Sequence, residues 1–161
     1  MFALALFKTG GQPKSAGKMT LPPSIYSDDL ELLRSSAVAA GIIASGFFRR
    51  DVKSWTKDHD SPVTEADILV DRYLAASLLA ARPHYGWLSE ETADNPSRLD
   101  CERVFVVDPI DGTRGFLRGE DSWTVSLAVV ENGVPVAGVV YAPVRDEMYD
   151  AIKGGGARLN G

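Results

Sequence analysis

The sequence predicts an α+β fold in which two long N-terminal helices pack on a mainly antiparallel sheet. Apolar residues recur at helical spacing over residues 27–82, and β-branched runs joined by tight turns follow. Helices followed by hairpin-linked strands place the helices on one face of such a sheet. The length of 161 residues and the hydrophobic share of 45% suit one domain with a buried core.

The first predicted helix covers residues 27–50. Residues 1–23 are expected to form a flexible arm, which leaves residues 24–161 as the folded domain. Ser27 is placed to cap the helix, and Asp28 and Asp29 suit its positive N-terminal end. Six apolar residues form the predicted buried stripe: Leu30, Leu33, Val38, Ile42, Ile43 and Phe47.

A second helix is predicted behind a polar loop or loose hairpin at residues 51–62. Thr64 offers a capping side chain, and Glu65 and Asp67 supply an acidic first turn. Arg82-Pro83 ends this helix, because proline cannot continue the hydrogen-bond ladder.

Strands are predicted where β-branched and aromatic residues cluster. Asn132-Gly133 lies between two such runs and predicts a tight hairpin turn, while residues 94–100 form a surface loop and residues 153–156 a glycine-rich turn. The predicted strands are 85–89, 104–107, 123–130, 134–141 and 148–152.

Composition narrows the classes of function. The formal net charge of −5 disfavours a nucleic-acid polymer as partner, and no apolar run reaches the roughly 20 residues that span a membrane. A small phosphate ester can still bind if divalent cations lie between it and the carboxylates. The single cysteine, Cys101, fits a reducing compartment and a cytoplasmic location.

The most informative stretch joins a hydrophobic strand to two acids. Asp108 is expected at the strand end and Asp111 at the following turn, so that their carboxylates converge. They would repel one another without a cation between them, and oxygen ligands with no nearby His or Cys favour Mg²⁺. Gly112 and Thr113 offer backbone N–H groups to a phosphate. Alternatively, Asp108 simply caps a loop in a common Asp-Gly turn.

Other side chains leave alternatives open. Glu90 closes a strand beside Glu91, which either supports a site from behind or lies at the surface. Asp67 either belongs to the site or only stabilises the helix start. Trp123 either supports the acidic box or belongs to the core, and Arg114 and Arg118 either contact a phosphate or form an exposed basic loop.

Taken together, the motifs resemble the inositol monophosphatase superfamily of magnesium-dependent, lithium-sensitive phosphatases. They occur in family order from Asp28 to the last residue. The resemblance implies the N-terminal half of the layered αβαβα sugar-phosphatase fold. The matching segments are Pro62-Val63-Thr64-x-x-Asp67, Leu88-Ser89-Glu90-Glu91, Asp108-Pro109-Ile110-Asp111-Gly112-Thr113 and Gly154-Gly155-Gly156-Ala157-x-Leu159-Asn160-Gly161.

The resemblance also implies a set of roles. Thr113, hydrogen-bonded to Asp67, would orient and deprotonate a metal-bound water with help from Glu90, and the N–H groups of Gly112 and Thr113 would contact the substrate phosphate. Two or three Mg²⁺ ions would be held by Glu90, Asp108, the backbone carbonyl of Ile110 and Asp111.

Family members continue past the motif at Gly161 into a second α/β half, which supplies a further metal-binding Asp and most contacts to the organic part of the substrate. The expected substrates are inositol phosphates, 3′-phosphoadenosine 5′-phosphate, histidinol phosphate and fructose bisphosphate. The motifs look most like the bacterial 3′(2′),5′-bisphosphate nucleotidase branch. The oligomeric state is left open, with a homodimer as one alternative. The alternatives to an enzyme are a non-catalytic metal-binding or regulatory fragment, or a purely structural domain.

Overall fold

The computed structural model describes residues 25–57 and 61–161, so the predicted arm of residues 1–23 lies outside the described residues. The helices of this part are α1 (Ser27–Ser45), α2 (Glu65–Ala81) and α3 (Thr113–Leu117), with a 3-10 helix at Pro96–Asp100. The strands are β1 (Ser54–Thr56), β2 (Pro62–Thr64), β3 (Gly86–Ser89), β4 (Arg103–Asp111), β5 (Thr124–Glu131), β6 (Val134–Ala142), β7 (Glu147–Ile152) and β8 (Gly156–Leu159).

The fold class is confirmed. A six-stranded sheet has the order β3-β4-β5-β6-β7-β8, and α1 packs on β5, β6 and β7 while α2 packs on α1 and β4. All neighbouring strands of this sheet are antiparallel except β3 and β4, which are parallel. Within the described ranges, no helix combines the length and apolar character needed to cross a bilayer.

The buried face of α1 differs from the predicted stripe. Leu30 and Leu33 are buried as predicted, but Val38 is 38% exposed and Ile42 is 68% exposed. Small residues occupy the core face instead, and they let the helix approach the sheet closely. At Gly41 an added Cβ would lie 2.8 Å from side-chain atoms of both Tyr141 and Pro143. The other small buried residues of this face are Ser36, Ala37, Ala40 and Ala44.

Both ends of α1 also differ from the prediction. The residue before the helix is Tyr26, which makes no side-chain cap, and Ser27 is already helical. The Tyr26 hydroxyl donates to Glu131 at 2.7 Å, so a tertiary contact holds this end. At the other end α1 stops at Ser45, five residues before the predicted Arg50, and turns follow. There Phe48 leaves the helix to pack against the aromatic core.

The start of α2 and the central hairpin agree with the prediction. The Thr64 hydroxyl accepts the N–H groups of Ala66 and Asp67, and Asp67 accepts the Thr64 N–H in return. The loose hairpin before this helix is formed by β1 and β2. Asn132 and Gly133 have positive φ angles of 48° and 79°, which allow the tight turn between β5 and β6.

Two strand predictions are corrected. The strand containing Asp108 does not end there, because β4 continues to Asp111 through an irregularity in its pairing with β5. The strand β8 was not predicted, because its glycine-rich sequence lacks the usual β-branched run. It pairs with β7 and is exposed along its length.

Candidate active site

The parallel pairing of β3 and β4 brings the first two acids together. Ser89 pairs with Val107, and the Glu90 N–H donates to the Val107 carbonyl at 3.1 Å. Because the carboxyl ends of parallel strands share one edge of the sheet, Glu90 emerges beside Asp108. The predicted meeting of these two segments therefore depends on the only parallel pair in the six-stranded sheet.

A β-bulge turns Asp111 toward the same place. In the pairing with β5, Asp108 lies opposite Ser126 and Asp111 lies opposite Thr124. Three steps along β4 therefore match two steps along β5, so β4 carries one extra residue. In a regular strand, residues three apart face opposite sides of the sheet, and one extra residue restores a common side. Pro109 suits the bulge because it has no N–H to donate to the neighbouring strand.

Gly112 connects this strand to α3. Its φ angle of 95° lies in the left-handed region, and an added Cβ would lie 3.1 Å from the Ser122 carbonyl oxygen. A residue with a side chain would therefore be both strained and crowded. The turn puts Thr113 at the first position of α3.

Thr113 connects the box to the buried start of α2. Its hydroxyl lies 3.3 Å from Asp67 Oδ1 and 3.0 Å from the Ile110 carbonyl oxygen, both of which are acceptors. Asp67 is fully buried, and its other oxygen accepts the N–H of Thr64 at 2.8 Å. Asp67 therefore stabilises the helix start and also contacts the box through Thr113.

Together these segments line one cleft. Every residue predicted to hold a metal or phosphate lies on its wall, and Asp67 lies behind Thr113. The cleft is lined by Ser61, Pro62, Glu90, Asp108, Ile110, Asp111, Gly112, Thr113 and Arg114. We use the name acid cluster for Glu90, Asp108 and Asp111.

The electrostatics of the acid cluster are those of like charges held together. Burial, and then the charges of Glu90 and Asp111, raise the pKa of Asp108 to about 8. Burial also raises the pKa of Asp67, against the opposing hydrogen bonds from Thr64 and Thr113. A pKa raised by burial and by neighbouring like charges in a cleft marks Asp108 as a candidate functional residue.

The donor chemistry fits a hard divalent cation, since the candidate ligands are carboxylate oxygens and the carbonyl oxygen of Ile110. Within residues 25–57 and 61–161, no three Asp, Glu, His or Cys side chains are already gathered as a metal cage. Instead, Asp108 shares a hydrogen bond with Glu90. Carboxylates can approach one another to coordination distance when a cation lies between them. The match between this site and a divalent cation therefore rests on the donor types and on the crowded negative charge around Asp108.

Lys57 is a site residue that the sequence did not single out. Its ammonium lies 2.7 and 2.8 Å from the two carboxylate oxygens of Glu91 and 3.8 Å from a carboxylate oxygen of Glu90. Burial raises the pKa of Glu91, and Lys57 opposes that rise. The Glu91 side chain is only 3% exposed, so it supports the cleft from behind and is not a surface acid. The polar hairpin sequence carried no signal for this contact.

The remaining candidates divide between core and surface. Trp123 is fully buried and packs edge-on against Phe116, so it supports the box from the core. Arg118 pairs with Glu120 on the surface, whereas Arg114 lines the cleft.

Comparison with known proteins identifies the relatives of this chain. Residues 28–161 match the inositol monophosphatase family model. A histidinol-phosphatase of Chlorobaculum parvum is 36% identical over 134 residues, which cover 83% of this chain and 51% of that protein. The 3′(2′),5′-bisphosphate nucleotidase CysQ of Escherichia coli is 38% identical over 127 residues, which cover 77% of this chain and 50% of that protein.

A solved structure shows the same fold. The extragenic suppressor protein suhB of Bartonella henselae superposes with a TM-score of 0.79 at 32% identity, over 83% of this chain and 52% of that one. This chain spans about half the length of the relatives that it matches, and it corresponds to their N-terminal half. The chain belongs to the inositol monophosphatase family.

Proposed function

We propose that the chain carries the catalytic half of a magnesium-dependent phosphomonoesterase. The observation that carries this proposal is the meeting of Glu90, Asp108 and Asp111 beside Thr113 in one cleft. Relatives named as phosphatases and nucleotidases support it. A cytoplasmic location and a homodimer stay predictions.

The metal ligands in this proposal are four oxygen donors, which would hold two or three Mg²⁺ ions. When bound, the ions lower the pKa of water and neutralise charge on the phosphate. We assign this role to Glu90, Asp108, the Ile110 carbonyl and Asp111.

The other residues position the reactants. The Thr113 hydroxyl can donate its one hydrogen to Asp67 or to the Ile110 carbonyl, and in this proposal its oxygen accepts a hydrogen bond from the attacking water. Glu90 takes up the proton that this water loses as its oxygen bonds to phosphorus. The bond from phosphorus to the ester oxygen breaks, and the departing alkoxide takes a proton from solvent to become the alcohol. Gly112 and Thr113 N–H groups would hold the phosphate oxygens.

The substrate within this class is proposed from the relatives. We favour 3′(2′)-phosphoadenosine 5′-phosphate, with an inositol monophosphate next, because the sequence motifs look most like the bisphosphate nucleotidase branch. CysQ nucleotidases and inositol-1-monophosphatases both match the chain at 38% identity or more. Bound cations would let this acid-lined cleft receive either anionic substrate.

The test is a phosphate-release assay on the 161-residue chain, and on a longer gene product if the gene encodes one. Phosphoadenosine phosphate, inositol 1-phosphate and histidinol phosphate are compared with Mg²⁺ and with EDTA. We expect turnover only with Mg²⁺, fastest on the nucleotide, and inhibition by lithium. The variant Asp108→Asn should lower turnover by about 10³-fold, the equivalent of roughly 4 kcal/mol in activation free energy.

Two outcomes of this assay would contradict the proposal. Near-normal turnover by the Asp108→Asn variant would remove Asp108 from the metal site. Binding of Mg²⁺ by calorimetry with no hydrolysis of any phosphate ester by either polypeptide would favour the alternative of a non-catalytic metal-binding domain.

A further inference from the structure

We propose that Asp71 is a positioning residue that holds the turn carrying Glu90 toward the cleft. This inference rests on the proposed function, because it assigns Glu90 to the metal site. Asp71 is 5% exposed, and the roles given above to the cleft residues do not use it. It lies on α2, one helical turn after Asp67, so both carboxylates project from the same face of the helix.

Both oxygens of Asp71 are engaged by the turn after β3. Ser89 donates its hydroxyl to Oδ1, and Thr92 donates its hydroxyl to Oδ2 at 2.5 Å. These two residues stand on either side of Glu90 in the chain. One carboxylate therefore fixes the turn at both of its ends, and the backbone between them has little freedom to move.

The rest of the turn is tied by other bonds. Ser89 Oγ also accepts the Glu91 N–H at 3.2 Å, and the Glu90 N–H donates to Val107 at 3.1 Å. The Glu90 side chain itself is 40% exposed and lines the cleft. A glutamate has three rotatable bonds, so the position of its backbone decides which points its carboxylate reaches.

The choice of residue supports a role in positioning. Aspartate is rarely buried, because removal of its charge from water is costly. An apolar side chain would serve packing as well, but it would leave the hydroxyls of Ser89 and Thr92 without this acceptor. The buried carboxylate is explained if the geometry of the turn, and not its packing alone, is what the protein needs.

The experiment measures binding of Mn²⁺, as a probe for the divalent site, from the signal of free Mn²⁺ in electron paramagnetic resonance. We expect Asp71→Ala to raise the Kd for Mn²⁺ by about 10- to 100-fold, the range found when residues supporting metal ligands are lost. Asp71→Asn keeps one acceptor oxygen and should raise the Kd less. The matched control is Asp29→Ala, which removes an equally buried acid far from the cleft and should leave the Kd within about twofold.

The failures are distinguishable. A wild-type chain that does not bind Mn²⁺ would overturn the proposed function and this inference together. A wild-type chain that binds, beside a folded Asp71→Ala variant whose Kd is unchanged, would overturn the positioning role alone. If circular dichroism shows that Asp71→Ala is unfolded, the double variant Ser89→Ala/Thr92→Val replaces it. That variant keeps Asp71 and cuts both of its bonds to the turn, so the same thresholds apply.

Discussion

Asp29 and the acid cluster lie near opposite ends of β4, and the charges that surround them differ. At the start of the strand, Asp29 accepts hydrogen bonds from Arg82 at 2.9 Å, from Tyr85 at 2.8 Å and from Arg103 at 3.3 Å. At the far end, the acid cluster gathers carboxylates whose repulsion adds to burial in raising the pKa of Asp108. Arginines of the protein neutralise Asp29, whereas the proposed function assigns the acid cluster to divalent cations.

This difference separates buried acids that stabilise the fold from buried acids that destabilise it. An acid paired with arginines contributes to folding at neutral pH, since the charges offset each other. An acid placed beside other acids costs stability, and a fold keeps such an arrangement where it has a use. The comparison separates Asp29 from Asp108, although the two residues are 3% and 5% exposed.

The largest effect expected from this comparison is a loss of kcat when a hydroxyl group is removed, and it should occur only at the acid-cluster end of β4. Thr113→Val removes the hydroxyl beside the acid cluster and should lower kcat by about 10²-fold, because the attacking water loses its orienting acceptor. Thr113→Ser should retain most activity. Tyr85→Phe removes a hydroxyl beside Asp29 and should lower Tm with no change in kcat. Steady-state kinetics and thermal unfolding measure both. Equal loss of kcat in the Thr113→Val and Tyr85→Phe variants would erase the proposed distinction.

The next effect is the pH dependence of Mg²⁺ binding. The folded-state pKa of Asp108, about 8, lies above its unfolded value, so its contribution to stability is fully present below about pH 4 and is lost as pH rises through 8. Mg²⁺ must displace this proton. Calorimetric affinity should therefore rise by up to about tenfold per pH unit below pH 8 and level off above it.

The control for this pH dependence is Asp108→Asn. It should bind Mg²⁺ weakly at every pH, with a shallower slope. A wild-type affinity that does not change between pH 6 and 8 would contradict the crowding of charge proposed for the cluster.

The smallest expected effect is on stability. Asp29→Asn removes the charge that Arg82 and Arg103 share and should lower the free energy of unfolding by about 1 kcal/mol, because both arginines are partly exposed to water. Asp108→Asn should raise the free energy of unfolding of the metal-free protein at pH 8, since it removes a charge that its neighbours repel. Chemical denaturation with EDTA measures both. The same sign for the two variants would show that the acid cluster is not under repulsion.

Much of the site was predictable because its residues belong to short motifs with a chemical reason. Thr64 and Asp67 stand at capping-box spacing, and Asp108 to Thr113 combine oxygen ligands with a glycine turn. Lys57 and Asp71 were not predictable in the same way. A lysine in a polar loop and an aspartate within a helix are ordinary surface residues in sequence, and only their contacts with Glu91 and Ser89 separate them from that background.

The sequence by itself determined the order of the long helices and most strands, which residue types can bind a hard cation, and the family of the chain. These properties depend on neighbours a few residues apart, through hydrogen-bond spacing, capping and hydrophobic period. The tertiary structure decided that Glu90 meets Asp108 across a parallel strand pair, and that a bulge turns Asp111 to join them. Those contacts join residues far apart in the chain, so no local pattern encodes their distances.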